Sequence, residues 1–428
     1  MTQKERKSTT VITIIAMMLL YAMIAFVTNL AAPVGEIWEK SIDNSNNIMG
    51  MLGNMMNFLA YLLMGVPAGK LLQKIGYKKT ALVAIGVGFL GILVQFLSGV
   101  AGSFYVYLIG AFIGGFCVCL LNTVVNPMLN LLGGGGNRGN QLNMIGGTLN
   151  SLTATLTPMV VGALIGESLA GKTINDVNLV LYISMAVFAV VFLVILLAPI
   201  AEPNRVTSET KFEHSPWSFR HFVLGACAIF LYVGVEIGIP GTLISYLHDI
   251  EFGKAAPYQT ATYIAGLYWL LMLVGRFIGS MISNKVSSRV QGICVSSVAI
   301  ILMIVAMFCN DVTIKMPINW AFQMGDLPLS ALLLVLCGLC TSVMWTGIFN
   351  MAVEGLGKYT AAASGIFMMM VVGGGIVPLI QSGVADLMLV EGGQGFLYSY
   401  IVPIIAVAYI LWYSLFGSKN VNKDIPVE

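Results

Sequence analysis

The chain has 428 residues, of which 58% are hydrophobic and only 9% charged, and its formal net charge is +2. A water-soluble domain carries roughly 25% charged residues, so water is excluded as the main solvent of this surface. The near-neutral balance, with no block of basic residues, also excludes a nucleic-acid partner. The apolar segments are long rather than short and alternating, which excludes a spanning β-barrel.

A hydrocarbon core of about 30 Å takes a helix of some 20 apolar residues. Runs of that kind recur between polar breaks and predict helices near 10–33, 48–72, 80–102, 104–132, 141–166, 177–200, 220–247, 258–284, 290–309, 329–355, 359–386 and 396–416. The first follows Lys4, Glu5, Arg6 and Lys7 and is too long for the apolar core of a signal peptide, so it is read as a span. The expected fold is an all-α membrane protein with twelve transmembrane helices in two six-helix bundles, 1–200 and 220–428. A polar connector, 201–219, joins them. Gly133 to Gly139 lacks the Gly-Lys-Ser/Thr ending of a phosphate loop and reads as a turn between spans four and five. The seven cysteines, Cys117, Cys119, Cys227, Cys294, Cys309, Cys337 and Cys340, all fall in apolar runs. They read as small core residues rather than ligands or disulfide partners.

Basic residues concentrate on the cytoplasmic side of a membrane protein. With the N-terminus inside, that side receives Lys4, Arg6, Lys7, Lys74, Lys78, Lys79, Arg138, Arg205, Lys211, Arg220, Lys285, Arg289, Lys358, Lys419 and Lys423. The other side receives Lys40, Lys172, Lys254 and Lys315. The expectation is a multi-pass protein of the cell inner membrane with both termini cytoplasmic.

The two bundles repeat one another in outline. A shift of 210 residues places Gly65, Gly69 and Lys79 on Gly275, Gly279 and Arg289, and a shift of 224 places Asn126 and Gly133 on Asn350 and Gly357. Glycines four apart let helices approach closely, and packing is their expected role. Duplicated halves suit a transporter that binds its solute between them and alternates access.

The segment from Gly69 through Lys74 to Lys78 and Lys79 resembles the loop motif between spans two and three of the major facilitator superfamily, with Gln73 where that motif carries an acid. Further strings resemble, in order along the chain, the fucose/glucose–galactose:proton symporter family within it. They are Ala60 to Gly69, Asn126-Pro127, Leu142-Asn143, Leu149-Asn150-Ser151, Tyr232 to Glu236, Gly275-Arg276-Phe277-Ile278-Gly279 and Gly373 to Pro378. The resemblance implies the major facilitator fold and proton-coupled sugar uptake. It also implies an Asp late in span one and a Glu in span four, where this chain has Ala32 and Asn122. Neither residue carries a proton.

Ionisable residues at membrane depth are expensive and are functional candidates. Glu236 sits mid-span in a run with no other acid and is the candidate proton-coupling residue. Arg276, near the cytoplasmic end of span eight, is expected to act as a gate or interhelical clamp. Asn122 and Asn126 are four apart on span four, and Asn143 and Asn150 are seven apart on span five, so each pair shares a helix face. Carboxamides offer both donors and acceptors to sugar hydroxyls; the alternative is that they glue helices together. Tyr232, Trp345, Asn350 and Gln381 are the candidates from the second half. Gly69, Lys78, Lys79 and Gly275 are assigned to gating or structural motifs.

These readings predict import of a small neutral sugar, a hexose or a relative, by secondary transport rather than enzyme chemistry. No cofactor is expected; the coupling ion is H+ or, on a rival reading, Na+ or none. The expected partners are the sugar and the lipid bilayer, with the protein a monomer. An acidic sugar would want a midplane cation and only Arg276 is available, so the reading as a transporter of an acidic sugar or a drug is disfavoured. A non-transporting sensor is the alternative from another class, and uptake by reconstituted vesicles separates it.

Overall fold

The structure is a computed structural model that describes residues 3–41, 47–132, 136–166, 174–200, 214–248, 256–282, 286–356, 359–388, 395–419, 421 and 425. Among these are twelve helical segments long and apolar enough to cross a membrane. A helix is the element these sequences form because hydrocarbon offers the backbone no outside partner, so each span closes its own hydrogen bonds. Helical prolines are tolerated there, and Pro33, Pro67, Pro127, Pro158, Pro240 and Pro378 all lie inside helices.

In the first half the spans are α1 (Gln3–Ser41), α2 (Asn47–Ile75), α3 (Tyr77–Ala101), α4 (Phe104–Leu132), α5 (Gly136–Ile165) and α6 (Asn178–Leu197). The turn from α2 to α3 is a single residue, Gly76, at φ 85°, a left-handed value that a side chain disfavours. In the second half, α7 (Arg220–His248), α8 (Tyr258–Ile282) and α9 (Ser288–Phe308) are followed by spans built in pieces. Span ten is α10 (Leu329–Thr341) and α11 (Met344–Val353), span eleven is α12 (Thr360–Met370) and α13 (Gly373–Met388), and span twelve is α14 (Gly395–Tyr398) and α15 (Ile401–Trp412) with a closing π-turn, Tyr413–Gly417. The spans α6 and α9 are the least buried. Leu193, Leu197, Ile301 and Val298 stand exposed on them, which is the surface lipid covers.

Several expectations change. The first helix extends well past residue 33, to Ser41, and α5 begins at Gly136, so Gly136 to Gly139 belong to a helix rather than to a turn. Between spans nine and ten, where hydropathy predicts only a connection, β1 (Thr313–Pro317) and β2 (Met324–Pro328) form an antiparallel hairpin with Lys315 opposite Asp326. Its turn is held by the Asn319 Oδ1, which accepts from the Ala321 and Gln323 amides. Of the cysteines, Cys117, Cys119, Cys337 and Cys340 are buried, whereas Cys227 and Cys294 are exposed on spans whose outer faces have no protein to pack against. The connector 201–213, Gly133 to Gly135 and Gly357 lie outside the described residues.

The halves meet along two seams, α5 on α8 and α2 on α12 and α13. On the first, a Cβ at Gly162 would stand 1.9 Å from the Thr262 hydroxyl, and one at Gly266 would stand 2.9 Å from the Thr155 carbonyl oxygen. On the second, a Cβ at Gly375 would meet the Met55 backbone at 2.8 Å. Its neighbour Gly373 would put one 1.8 Å from the Phe230 carbonyl oxygen, so the Gly373-Gly374-Gly375 run is the wedge that seats α13 between α2 and α7. The same seam is tied at the end remote from Lys74 to Lys79, where the Ile48 amide at the start of α2 donates to the Asp386 carboxylate at 3.3 Å.

The repeated loop after spans two and eight does the same work in both halves. Lys78 Nζ donates to the Ala198 carbonyl just past α6 at 2.7 Å, and Arg289 donates to the Ser418 hydroxyl just past span twelve at 3.1 Å. The structural equivalent of Arg289 is therefore Lys78, while Lys79 is exposed. The repeated glycines divide. A Cβ at Gly275 would fall 2.9 Å from the Leu339 carbonyl oxygen, one at Gly279 would fall 2.4 Å from Val343, and one at Gly65 would meet Met369. At Gly69 nothing lies within 4 Å, so its expected packing role is corrected: α2 has turned that face away from any neighbour.

Candidate functional site

Along the axis between the halves, polar side chains gather in three groups. In the first, the α4 amides are joined into a network. Asn122 donates to the Tyr61 hydroxyl at 2.8 Å and to the Val118 carbonyl at 3.2 Å. Asn126 donates to the Asn122 carbonyl at 2.9 Å and accepts from the Tyr21 hydroxyl of α1. On α5, Asn150 donates to the Tyr21 carbonyl at 3.1 Å. The three amides are half-buried, so they bind neighbouring helices and still keep a face open. Asn143 lies on the same helix as Asn150, with its side chain outside the described residues.

In the second group Arg276 joins three helices. Its Nη1 donates to the Gly147 carbonyl and to the Ser151 hydroxyl of α5, both at 2.7 Å, and its Nη2 faces Glu236 Oε1 of α7 at 3.4 Å. The side chains of Arg276 and Glu236 retain 20% and 14% exposure, so the pair is partly wet. One turn before Glu236, Tyr232 is buried, and its ring lies 6.2 Å from that of the half-buried Trp345 on α11. Opposite charges at membrane depth lower one another's cost by pairing. That rule is the signal in the sequence for Glu236 and for Arg276 separately, and nothing in the sequence shows that they meet.

The third group lines a cavity of about 30 Å³ between the halves, with Thr28 and Asn29 of α1, Asn54 of α2, Ile237 and Pro240 of α7 and Trp269 of α8, among others. It has room for about two waters and none for a hexose, so a sugar enters only when its walls part. None of its polar side chains was among the sequence candidates. Trp269 is seven residues, two helical turns, before Arg276 on the same face, a spacing that marks it for the axis in retrospect.

Two candidates stand apart. Gln381 is fully buried on α13, neither of its amide atoms has a hydrogen-bond partner among the described residues, and its Oε1 packs where a Cβ on Gly238 would be. Asn350 is exposed on α11 and makes no hydrogen bond among the described residues. Glu354, at the end of the same helix, is exposed, and its carbonyl takes a bond from His221 Nε2 at 2.9 Å that pins the start of α7. Among the described residues no group of three or more His, Cys, Asp or Glu side chains could hold a metal ion.

Two six-helix halves with a polar axis between them define a solute transporter. The chain belongs to the major facilitator superfamily, whose family model matches residues 14–378. It is 29% identical over 389 residues to a glucose/galactose transporter of Brucella abortus, spanning 89% of this chain and 88% of that one. It is 24% identical over 342 residues to the L-fucose-proton symporter of Escherichia coli, spanning 72% of each. Its fold matches the crystal structure of the superfamily transporter FucP in the outward conformation with a TM-score of 0.68 at 20% identity, over 96% of this chain and all of that one.

Proposed function

We propose that this protein imports a small neutral sugar, a hexose or a close relative, by alternating access coupled to proton symport. The observation that carries the sugar is the similarity to a glucose/galactose transporter across 89% of the chain, and an axis lined by amides, tyrosines and tryptophans suits hydroxyl-rich solutes. The protein acts as a monomer in the inner membrane with both termini cytoplasmic, a sidedness that rests on the excess of Lys and Arg at one end of the bundle.

Glu236 carries the proton. Arg276 is held by two 2.7 Å bonds to α5 and by one 3.4 Å contact to Glu236. Protonating Glu236 therefore surrenders the weakest of its three attachments, and the arginine keeps partners while the acid is neutral. Glu236 and Arg276 both belong to the second half, and Gly147 and Ser151 to the first, so loading a proton frees one arm of the arginine that bridges the moving parts.

The test is uptake of labelled D-glucose, D-galactose and L-fucose by vesicles reconstituted with the purified chain, under an imposed pH gradient with and without sodium. Accumulation driven by the pH gradient alone is the expected result. Accumulation that requires sodium, or equilibration without accumulation, replaces the proton by the rival readings; no uptake of any sugar removes the function.

A further inference from the structure

Charged groups of the second half hold the backbone of the first at two places, on different seams and toward opposite ends. Arg276, in the last turn of the apolar span Tyr258–Gly279, donates to the Gly147 carbonyl in the first turn of the span Ile145–Ile165. Asp386 of α13 accepts from the Ile48 amide at the start of α2 at 3.3 Å. Successive spans reverse direction, so the starts of α2 and α5 lie at opposite ends of the bundle. A cation therefore grips a carbonyl toward the Lys74 end, and an anion grips an amide at the other.

The first amides of a helix have no partner within it, and the positive end of the helix dipole favours an anion there. The first turn of α2 contains no acidic residue, so the carboxylate that meets this need comes from the other half, 338 positions along the chain. Gly383 lies three residues before Asp386 on the same face of α13, and a Cβ there would stand 3.4 Å from Ile48 Cδ1. The Ile48 side chain thus lies against this turn of α13 while its amide faces the carboxylate. Asp386 is half-buried, and a partly buried charge is screened less than an exposed one.

The seam continues inward without a gap, through the Asn54 bond to the Gly374 carbonyl at 2.9 Å and the contact of Gly375 with the Met55 backbone. Nothing the size of a solute enters from this end until α2 and α13 part, and parting exchanges the carboxylate on the Ile48 amide for water.

We propose that Asp386 is a gating residue: its carboxylate on the start of α2 latches the end of the transport path remote from Lys74 to Lys79, and so sets how often that end opens. It acts through the position of α2 rather than on the solute. The inference rests on the alternating-access reading above and on no particular sugar or coupling ion.

The test is the distance between spin labels, measured by pulsed electron resonance without solute on the detergent-purified full chain carrying Cys227→Ser, Cys294→Ser and Cys309→Ser. Tyr105→Cys with Val312→Cys reports the Asp386 end from exposed positions on the two halves, and Lys79→Cys with Val290→Cys reports the other. Asp386→Ala should raise the ratio of open to closed molecules at the first pair about fivefold, which corresponds to about 1 kcal/mol of lost capping. Asp386→Asn, whose carboxamide oxygen still accepts from the amide without the charge, should raise it about twofold. Neither should open the second pair. A merely structural role would lower the unfolding temperature and leave both distance distributions unchanged, so thermal unfolding is run on each variant. If Asp386→Ala fails to fold, Asp386→Asn decides. An unchanged ratio in folded variants, or equal opening at both ends, overturns the latch and leaves alternating access standing. Wild type and variants that open at neither pair take down both.

Discussion

The two halves meet the axis with different chemistry. The first brings neutral groups, with Tyr21, Tyr61, Asn122, Asn126 and Asn150 bonded to one another and to backbone. The second brings the charges, Glu236 and Arg276, and Arg276 reaches back to grip α5. Where the resemblance leads one to expect acids in the first half, Ala32 and Asn122 stand instead. The lesson is that a duplicated frame does not impose duplicated function: amides tolerate burial with local partners, whereas a charge needs an opposite charge within reach, and that pair resides in one half.

The largest effect should come from breaking the charged side of this contrast. Arg276→Ala leaves Glu236 without its charge partner and strips three bonds. Removing one partner of a buried pair costs 3–5 kcal/mol, and with both groups partly wet the low end, about 3 kcal/mol, is expected. Thermal unfolding in detergent reads it, and Glu236→Gln added to Arg276→Ala should recover part of the loss. If the double variant is no better, the charge on Glu236 was not what the arginine balanced.

Glu236→Gln alone should fold well, because Arg276 keeps Gly147 and Ser151. It should exchange sugar across vesicles but lose accumulation driven by a pH gradient. Full accumulation in this variant would make Glu236 structural and leave the charged half without a proton carrier.

Packing sharpens the comparison next. Gly275→Ala drives a methyl to within 2.9 Å of the Leu339 carbonyl oxygen and into Ser342, and should cost about 2 kcal/mol. On the neutral side, Asn126→Ala removes the bonds to Tyr21 and Asn122 and should cost on the order of 1 kcal/mol. A fall in sugar affinity beyond what unfolding explains places Asn126 in the solute path; a stability loss alone makes it glue. The smallest change has the opposite sign. Gly69→Ala sits in a helix with open space around it, and gains about 0.5–1 kcal/mol of helix propensity. Destabilisation there would mean that the first half packs like the second after all.

The twelve spans, the division into halves and the motif loops were legible because each depends on residues close in the chain. A run of some 20 apolar residues has one stable answer in hydrocarbon, a helix that satisfies its own backbone. The hairpin at 313–328 escaped because its two five-residue strands alternate weakly and sit between louder apolar signals. Of the site, residue types were readable and partners were not. Tyr21 and Asn126 are 105 positions apart, and Trp269 and Asn54 lie on different halves.

Residue order along the chain thus sufficed for the helices, their number and the faces on which Asn122, Asn126, Glu236 and Arg276 lie, since pitch is a local property of the backbone. Which faces meet was decided by packing across the seams. Gly69 and Gly279 occupy matching places in the repeat, yet one looks into empty space and the other presses on Val343. Likewise Lys78, rather than its neighbour, is the counterpart of Arg289. A rotation of one residue, about 100° on a helix, separates those outcomes, and that rotation is set by neighbours distant in the chain.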